Sequence, residues 1–264
     1  MVVFETLSYV DAHLHLADPR YSGQIGKMVN DANESHVSRL LSNALDYETS
    51  VQTLEIAKRY NSIVLAAIGV HPWTANNRPD YQLEKFEGLI KANENYVKAI
   101  GEIGLDGKYT QDALTRKRQR EVFEFFLQVA ERRNLPVIVH SRLAVDEVLQ
   151  TLSAFNLPSV LLHWYDGPVE KLGLVKDRGY MISTSPIVLY TRRIIEIARA
   201  ADLKLILTET DGPATYHGPF EGMQTRPSFV IEVVKKLAEV KSESVETVRE
   251  TVVDNFRRLL GDVK

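Results

Sequence analysis

Eight short β-rich runs recur along this chain, at residues 8–15, 37–44, 63–70, 96–104, 136–140, 159–163, 180–184 and 204–211. Helical patterns separate each from the next, over 23–36, 48–60, 81–93, 112–134, 146–155, 169–178 and 189–201, and two more, 227–240 and 244–260, follow the last run. The third run is apolar throughout, as a strand covered on both faces should be. The stretch 112–134 sets Val122, Phe123, Phe126, Val129 and Ala130 on one side, the stripe of an amphipathic helix. Such regular alternation gives a parallel sheet. Eight units in 264 residues is the count and length of a single-domain (β/α)8 TIM barrel of the α/β class, here covering residues 1–264. An open doubly wound sheet is the alternative, but it would place a glycine-rich turn after its first strand. This chain has His13-Leu14-His15 there.

Composition narrows the chemistry. A 44% hydrophobic and 25% charged chain is that of an ordinary globular protein with a large core. Cysteine is absent, so disulfides, thiolate metal sites and cysteine nucleophiles are excluded, and any metal must be held by His, Asp or Glu. A net charge of −3 argues against coating nucleic acid over the whole surface, while leaving room for a local basic patch. With no run of 18 apolar residues and no basic-then-apolar leader, the chain is expected to be cytoplasmic and not to span a membrane.

In such a barrel the carboxyl ends of the strands form one face, and that face carries the chemistry. His13 and His15 end the first run, His71 follows the third, and Glu102 lies near the end of the fourth. His140 ends the fifth, His163 the sixth and Asp211 the eighth; of the seven histidines only His36 and His217 lie elsewhere. Side chains two apart on a strand leave the same face, so His13 and His15 can meet one cation. Alone, that pair could equally be two half-buried histidines bonded to backbone carbonyls. With the rest it makes a two-metal set: His13, His15 and Asp211 on one ion, His140 and His163 on the other, Glu102 bridging. Ions about 3.5–4 Å apart activate a water and stabilise the attacking and leaving oxygens of a displacement. The water's pKa falls towards about 7, and Asp211 is placed to take its proton.

The residues in order are Asp11-Ala12-His13-Leu14-His15, Gly69-Val70-His71-Pro72, Gly101-Glu102-Ile103-Gly104-Leu105-Asp106, His140-Ser141-Arg142, His163-Trp164 and Glu209-Thr210-Asp211-Gly212-Pro213. This series resembles the TatD family of metal-dependent deoxyribonucleases, within the amidohydrolase-like superfamily, and the likeness runs from Asp11 to the 255–259 segment. The resemblance implies a hydrolase cleaving DNA phosphodiester bonds, often a 3′→5′ exonuclease on single strands. It implies two divalent ions, Mg2+ in function with Zn2+ or Mn2+ accepted, and DNA as the partner of a chain expected to be monomeric. Three loops depart from the family pattern. Trp164-Tyr165-Asp166-Gly167 stands where Phe-Ser/Thr-Gly is usual, Thr225-Arg226-Pro227 replaces an Asn-Glu-Pro element, and Gly107 takes the place of a Tyr or Phe. None is a ligand, so they bear on substrate choice. The competing reading is a binuclear lactonase or deacylase, including a D-aminoacyl-tRNA deacylase. Many binuclear members of the superfamily bridge their ions with a modified lysine on strand four; here that strand offers Glu102, and Lys98 lies too early.

The remaining expectations concern the rim. His71, before Pro72, is expected to contact phosphate or to assist the chemistry, the alternative being a side chain that packs a turn. Arg142 is two residues from His140 and would grip phosphate, or else pair with Glu102, Glu209 or Asp211. Asp11 and Glu209, one layer deeper, would accept a histidine ring N–H and fix its tautomer. Asp106 would do the same or cap the next segment. Trp73, Trp164 and Tyr165 could stack bases, with Trp164 counted among the substrate-binding residues. Lys108, Arg116 and Lys117 would form either a basic rim or a solvated helix face.

Overall fold

The computed structural model describes residues 8–77, 83–110 and 112–261. The eight runs become β1 (Tyr9–Leu14), β2 (Val37–Asn43), β3 (Val64–Ile68), β4 (Val97–Gly104), β5 (Val137–His140), β6 (Val160–Leu162), β7 (Met181–Thr184) and β8 (Ile206–Thr208). They pair in parallel, each with the next in chain order. The seam between β8 and β1 is drawn together beyond the strand ends, where Asp211 N donates to His13 O at 2.8 Å and His15 N to Gly212 O at 2.7 Å. The result is a nearly closed barrel.

Helices α1 (Ile25–Glu34), α2 (Tyr47–Arg59), α3 (Pro72–Asn77), α4 (Glu84–Ala92), α5 (Ala113–Arg133), α6 (Val145–Leu152), α7 (Leu172–Asp177) and α8 (Arg192–Ala200) lie between the strands, and α9 (Val230–Lys241) and α10 (Val245–Leu260) follow β8. The helix expected over 81–93 opens on Tyr81 and Gln82, which lie outside the described residues. Local chemistry fixes several starts. Asp46 and Asp112 each form a capping box with the threonine three residues on, satisfying amide donors that a first turn leaves free. The outer helices cover strands that are themselves fully buried, such as β3, and Phe123, Phe126 and Leu127 of α5 reach 0% exposure there. Asn255 of α10 ties that helix to the barrel by donating to Leu203 O and Ile206 O at 2.9 and 2.7 Å.

Two expectations about elements change. The eighth run shortens to three residues: a 3-10 turn over Leu203–Leu205 takes its start, and beyond its end the chain turns away at Asp211, φ 45°, with Pro213 following. The short helix α3 was not expected: Pro72 takes its first position, where the missing amide costs nothing and the fixed φ suits a helix. His71 thereby becomes the residue that opens a helix. Above the mouth a second apolar cluster, Tyr216, Phe220 and Phe229, packs with Trp164, Ile187 and Leu189 and roofs one side.

Candidate metal centre

All of the strand-end residues singled out above meet at the barrel mouth. Glu102, on β4 and 1% exposed, stands in the middle. Its Oε2 lies 3.4 Å from Nε2 of both His13 and His15, and Asp211 Oδ1 lies 3.4 and 3.3 Å from the same two nitrogens. Its Oε1 lies 2.6 Å from His163 Nε2, 2.8 Å from His140 Nδ1 and 3.4 Å from His71 Nε2. One carboxylate thus faces two sets of imidazoles, one oxygen to each. Close approach behind the site is set by Gly104, at φ 139°, where a Cβ would fall 2.1 Å from His140 O.

The partners on the far side of each ring decide what its near side offers. Nδ1 of His15 lies 2.9 Å from Asn43 O, which can only accept, so the proton is there and Nε2 turns a lone pair inward. Nε2 of His140 lies 2.7 Å from Asp106 Oδ2, which can only accept, so that nitrogen holds a proton and Nδ1, 2.8 Å from Glu102 Oε1, is the one left to meet a cation. His163 turns Nδ1 towards Glu209 Oε2 at 3.8 Å, and Ser183 Oγ donates to that same oxygen at 2.5 Å. His71 is the reverse case. Its Nδ1 accepts from Trp73 N at 3.0 Å, an amide that can only donate, so its inward Nε2 carries the proton. His71 faces Glu102 as a hydrogen-bond donor and not as a ligand.

The inward nitrogens then crowd against each other. His13 and His15 Nε2 are 3.2 Å apart, and His140 Nδ1 and His163 Nε2 are 3.3 Å apart, each pair beside one Glu102 oxygen. Only positive charge resolves that arrangement, and a nitrogen and oxygen donor set without sulfur fits divalent cations. The acid–base balance agrees. Burial alone would raise the Glu102 carboxyl, but the imidazoles that face it, His163 foremost, outweigh it and hold it well below the usual range. Asp211 is likewise raised by burial and pulled lower by His13 and His15. Burial pushes His163 down, and Glu102 and Glu209 lift it well above the ordinary imidazole value. The cluster gathers protons where cations would take their place. His71 differs again, since burial brings it down to about 4 and keeps it neutral.

Several rim expectations are corrected. Arg142 does not pair with Glu102, Glu209 or Asp211; its Nε and Nη2 lie 3.0 and 2.8 Å from Asp106 Oδ2, because the β4 and β5 loops bring that carboxylate closer. Asp106 does both things expected of it: Oδ1 accepts from Lys108 N and Tyr109 N, capping the turn, while Oδ2 holds His140, Arg142 and Trp73 Nε1. Asp11 binds no histidine ring. It accepts from Thr210 N, Thr210 Oγ1 and His13 N, bracing the β1–β8 seam, and burial raises its carboxyl to about 8. Tyr165 is 2% exposed with its hydroxyl on Pro168 O, so it has no face to offer. Trp164, at φ 40°, lines the cavity but packs against Tyr216. Arg116 of α5 pairs with Glu147 of α6 and Lys117 with Glu121 within α5, on solvated helix faces, and His36 and His217 are exposed. Sequence reasoning missed Arg20, which forks onto Asp18 at 2.8 and 2.9 Å at the cavity wall, and Tyr109 beside Arg142. The Asp18-x-Arg20 spacing straight after the paired histidines was the available signal for the first.

A nearly closed parallel barrel whose strand ends converge four histidines and two carboxylates defines a TIM barrel with a candidate centre for divalent metal. Comparison with known proteins gives the family. Residues 10–261 match the model of TatD related DNase. The uncharacterized metal-dependent hydrolase MJ1582 of Methanocaldococcus jannaschii is 32% identical over 96% of this chain and 99% of its own. Human deoxyribonuclease TATDN3 is 30% identical over 97% and 95% of the two chains. The crystal structure of YjjV, a TatD homologue from Escherichia coli, superposes with a TM-score of 0.89 at 27% identity, covering 97% and 99%. The chain belongs to the TatD family and is a metal-dependent hydrolase.

Proposed function

We propose that this protein is a deoxyribonuclease acting on single-stranded DNA with two divalent ions. His13, His15 and Asp211 would hold one ion and His140 and His163 the other, with Glu102 shared between the two sets. The observation that carries this reading is the division of Glu102, Oε2 towards one pair of inward nitrogens and Oε1 towards the other. Bound there, divalent cations would neutralise the phosphodiester and acidify a water; Mg2+ is the proposed working ion, with Zn2+ or Mn2+ able to substitute.

The chain's own groups supply the rest. Asp211 Oδ1, on the more open side of the cluster, takes a proton from the attacking water. His71 Nε2–H, neutral at physiological pH, donates to a phosphoryl oxygen and gains as charge develops there. Arg142 keeps one edge on Asp106 and turns its free N–H groups to the phosphate, while Trp164 walls the cavity. Glu102 lies at the floor of a cavity of about 370 Å³, so the scissile phosphate must come in to it. A single-stranded end can thread that far, whereas a duplex must first be opened. The 3′→5′ direction, a monomeric state and a cytoplasmic setting complete the reading. Among the described residues no helix is long and apolar enough to cross a membrane.

The test is a metal-reconstituted assay on 3′- and 5′-labelled single-stranded oligonucleotides, run beside a panel of lactones and amides. Cleavage of DNA that EDTA stops, shortening from the 3′ end, is the expected result. Turnover of a lactone or amide with the oligonucleotides intact would overturn it.

A further inference from the structure

Two large aromatic side chains stand out of the rim beside the metal centre. Trp73 and Tyr109 are 41% and 40% exposed, the first in helix α3 after β3 and the second on the loop after β4. Their rings meet edge to face at 5.1 Å, and the Arg142 guanidinium lies 4.7 Å from the Tyr109 ring centre and 5.6 Å from that of Trp73. The arrangement is held from below. Trp73 Nε1 and Arg142 Nε both donate to Asp106 Oδ2, and Asn76 Nδ2 donates to the Tyr109 carbonyl at 3.1 Å. Gly107 makes room for it. A Cβ there would fall 2.5 Å from Leu143 O, so the chain carries no side chain after Asp106 and supplies its aromatic ring two residues later.

We infer that Trp73, Tyr109 and Arg142 form a stacking shelf for the nucleobases of the strand entering the cavity. Three physical points carry this. Exposed apolar rings beside a binding cavity mark a recognition surface more often than a solvated one. A flat ring whose polar edge is already bonded, as Trp73 Nε1 is to Asp106, loses little freedom when a base stacks on it, and Lys108 Nζ, 5.8 Å from the Tyr109 ring centre, adds a second cation beside Arg142. A guanidinium plane among aromatic rings extends the same π surface and carries charge that suits the adjoining phosphates. Trp73 lines the cavity and Tyr109 lies outside it, so the shelf leads from solvent to the reacting phosphate. It recognises base faces and not base edges, so all four bases are accepted. The choice of nucleic acid as the ligand rests on the deoxyribonuclease reading above.

The test compares two 5′-labelled 8-mers by fluorescence anisotropy in EDTA, one of deoxythymidylate and one of abasic sites with the same phosphates. Their affinity ratio isolates the bases. The wild type should bind the thymine-bearing strand about 10-fold more tightly or better, the loss typical of removing one stacked base. Tyr109→Ala should cut that ratio at least about 5-fold and Tyr109→Phe should keep it, while the thymine strand alone quenches tryptophan emission. A wild-type ratio near one, an undiminished ratio in Tyr109→Ala, or a ratio without quenching would each overturn the shelf. The two readings separate cleanly. A base-dependent ratio in a protein that leaves DNA uncut with metal restored keeps the shelf and removes the nuclease, and cleavage with a ratio of one does the reverse.

Discussion

The two halves of the cluster present the same imidazoles but are backed by different groups. On the β1–β8 side, His15 leans on a backbone carbonyl and His13 Nδ1 finds no hydrogen-bond partner among the described residues. On the β5–β6 side, His140 leans on the Asp106 carboxylate at 2.7 Å, while His163 Nδ1 has no hydrogen-bond partner among the described residues and faces Glu209 across 3.8 Å. A carboxylate behind an imidazole fixes its tautomer and makes its other nitrogen more basic. At His140 the β5–β6 side therefore offers the stronger nitrogen donor. The β1–β8 side compensates with an additional carboxylate, Asp211, which the left-handed turn at φ 45° aims inward. The lesson is a division of labour. One half is built to hold a cation through basic nitrogens, the other to place a carboxylate where a proton must be taken.

Removing what the halves share should cost most. Glu102→Ala takes an oxygen from both, and a loss of metal-dependent turnover of at least about 10³-fold is expected, since metal stabilisation of such a displacement is worth several kcal/mol. A folded Glu102→Ala protein with near-wild-type turnover, checked by circular dichroism, would sink the bridging role. Next comes Asp211→Asn, which keeps a ligand oxygen but removes the base. It should lower kcat by at least about 10²-fold with metal content little changed. A smaller loss measured under saturating metal would assign the proton to another group.

The comparison sharpens with Asp106→Asn. That change leaves the β1–β8 half untouched and weakens the group behind His140. One of the two metal-binding events should lose about 10- to 100-fold in affinity while the other holds, read by calorimetric titration of the metal-stripped protein. Equal weakening of both would show that the halves act as one. No weakening of either would leave Asp106 as a brace for the loop alone.

How far the sequence foretold this differs between those regions for physical reasons. Strand ends are legible because burial on both faces leaves an apolar run, and the residue that ends it is then conspicuous; His13, His15, His140 and His163 were all found so. The barrel followed from the same alternation. What backs the histidines was largely hidden. Asn43 acts through its carbonyl, which no residue letter encodes. Asp106, Trp73 and Arg142 follow three separate strands, and only the barrel brings them together, Trp73 and Arg142 on one Asp106 oxygen. Helix α3 hid because Pro72 reads as a turn, and with it went the amide of Trp73 that settles the His71 tautomer. Asp11 misled because its strand face was right, but the β8 seam reached it before any imidazole did.

The smallest effect is expected at the rim, with Arg142→Ala. The side chain is part-exposed and its pairing with Asp106 is one of three contacts to that oxygen, so His140 and Trp73 keep Asp106 in place without it. What is lost is a charge-assisted contact to phosphate, so KM for a DNA oligonucleotide should rise about 10-fold with kcat within about 3-fold of wild type. Because the missing term is electrostatic, added salt should raise the wild-type KM in the same sense and have less effect on the variant. An unchanged KM would make Arg142 purely a partner of Asp106. A fall in kcat at constant KM would instead mean that the guanidinium steadies His140 through Asp106, joining the rim to the β5–β6 half of the cluster and leaving the β1–β8 half apart from both.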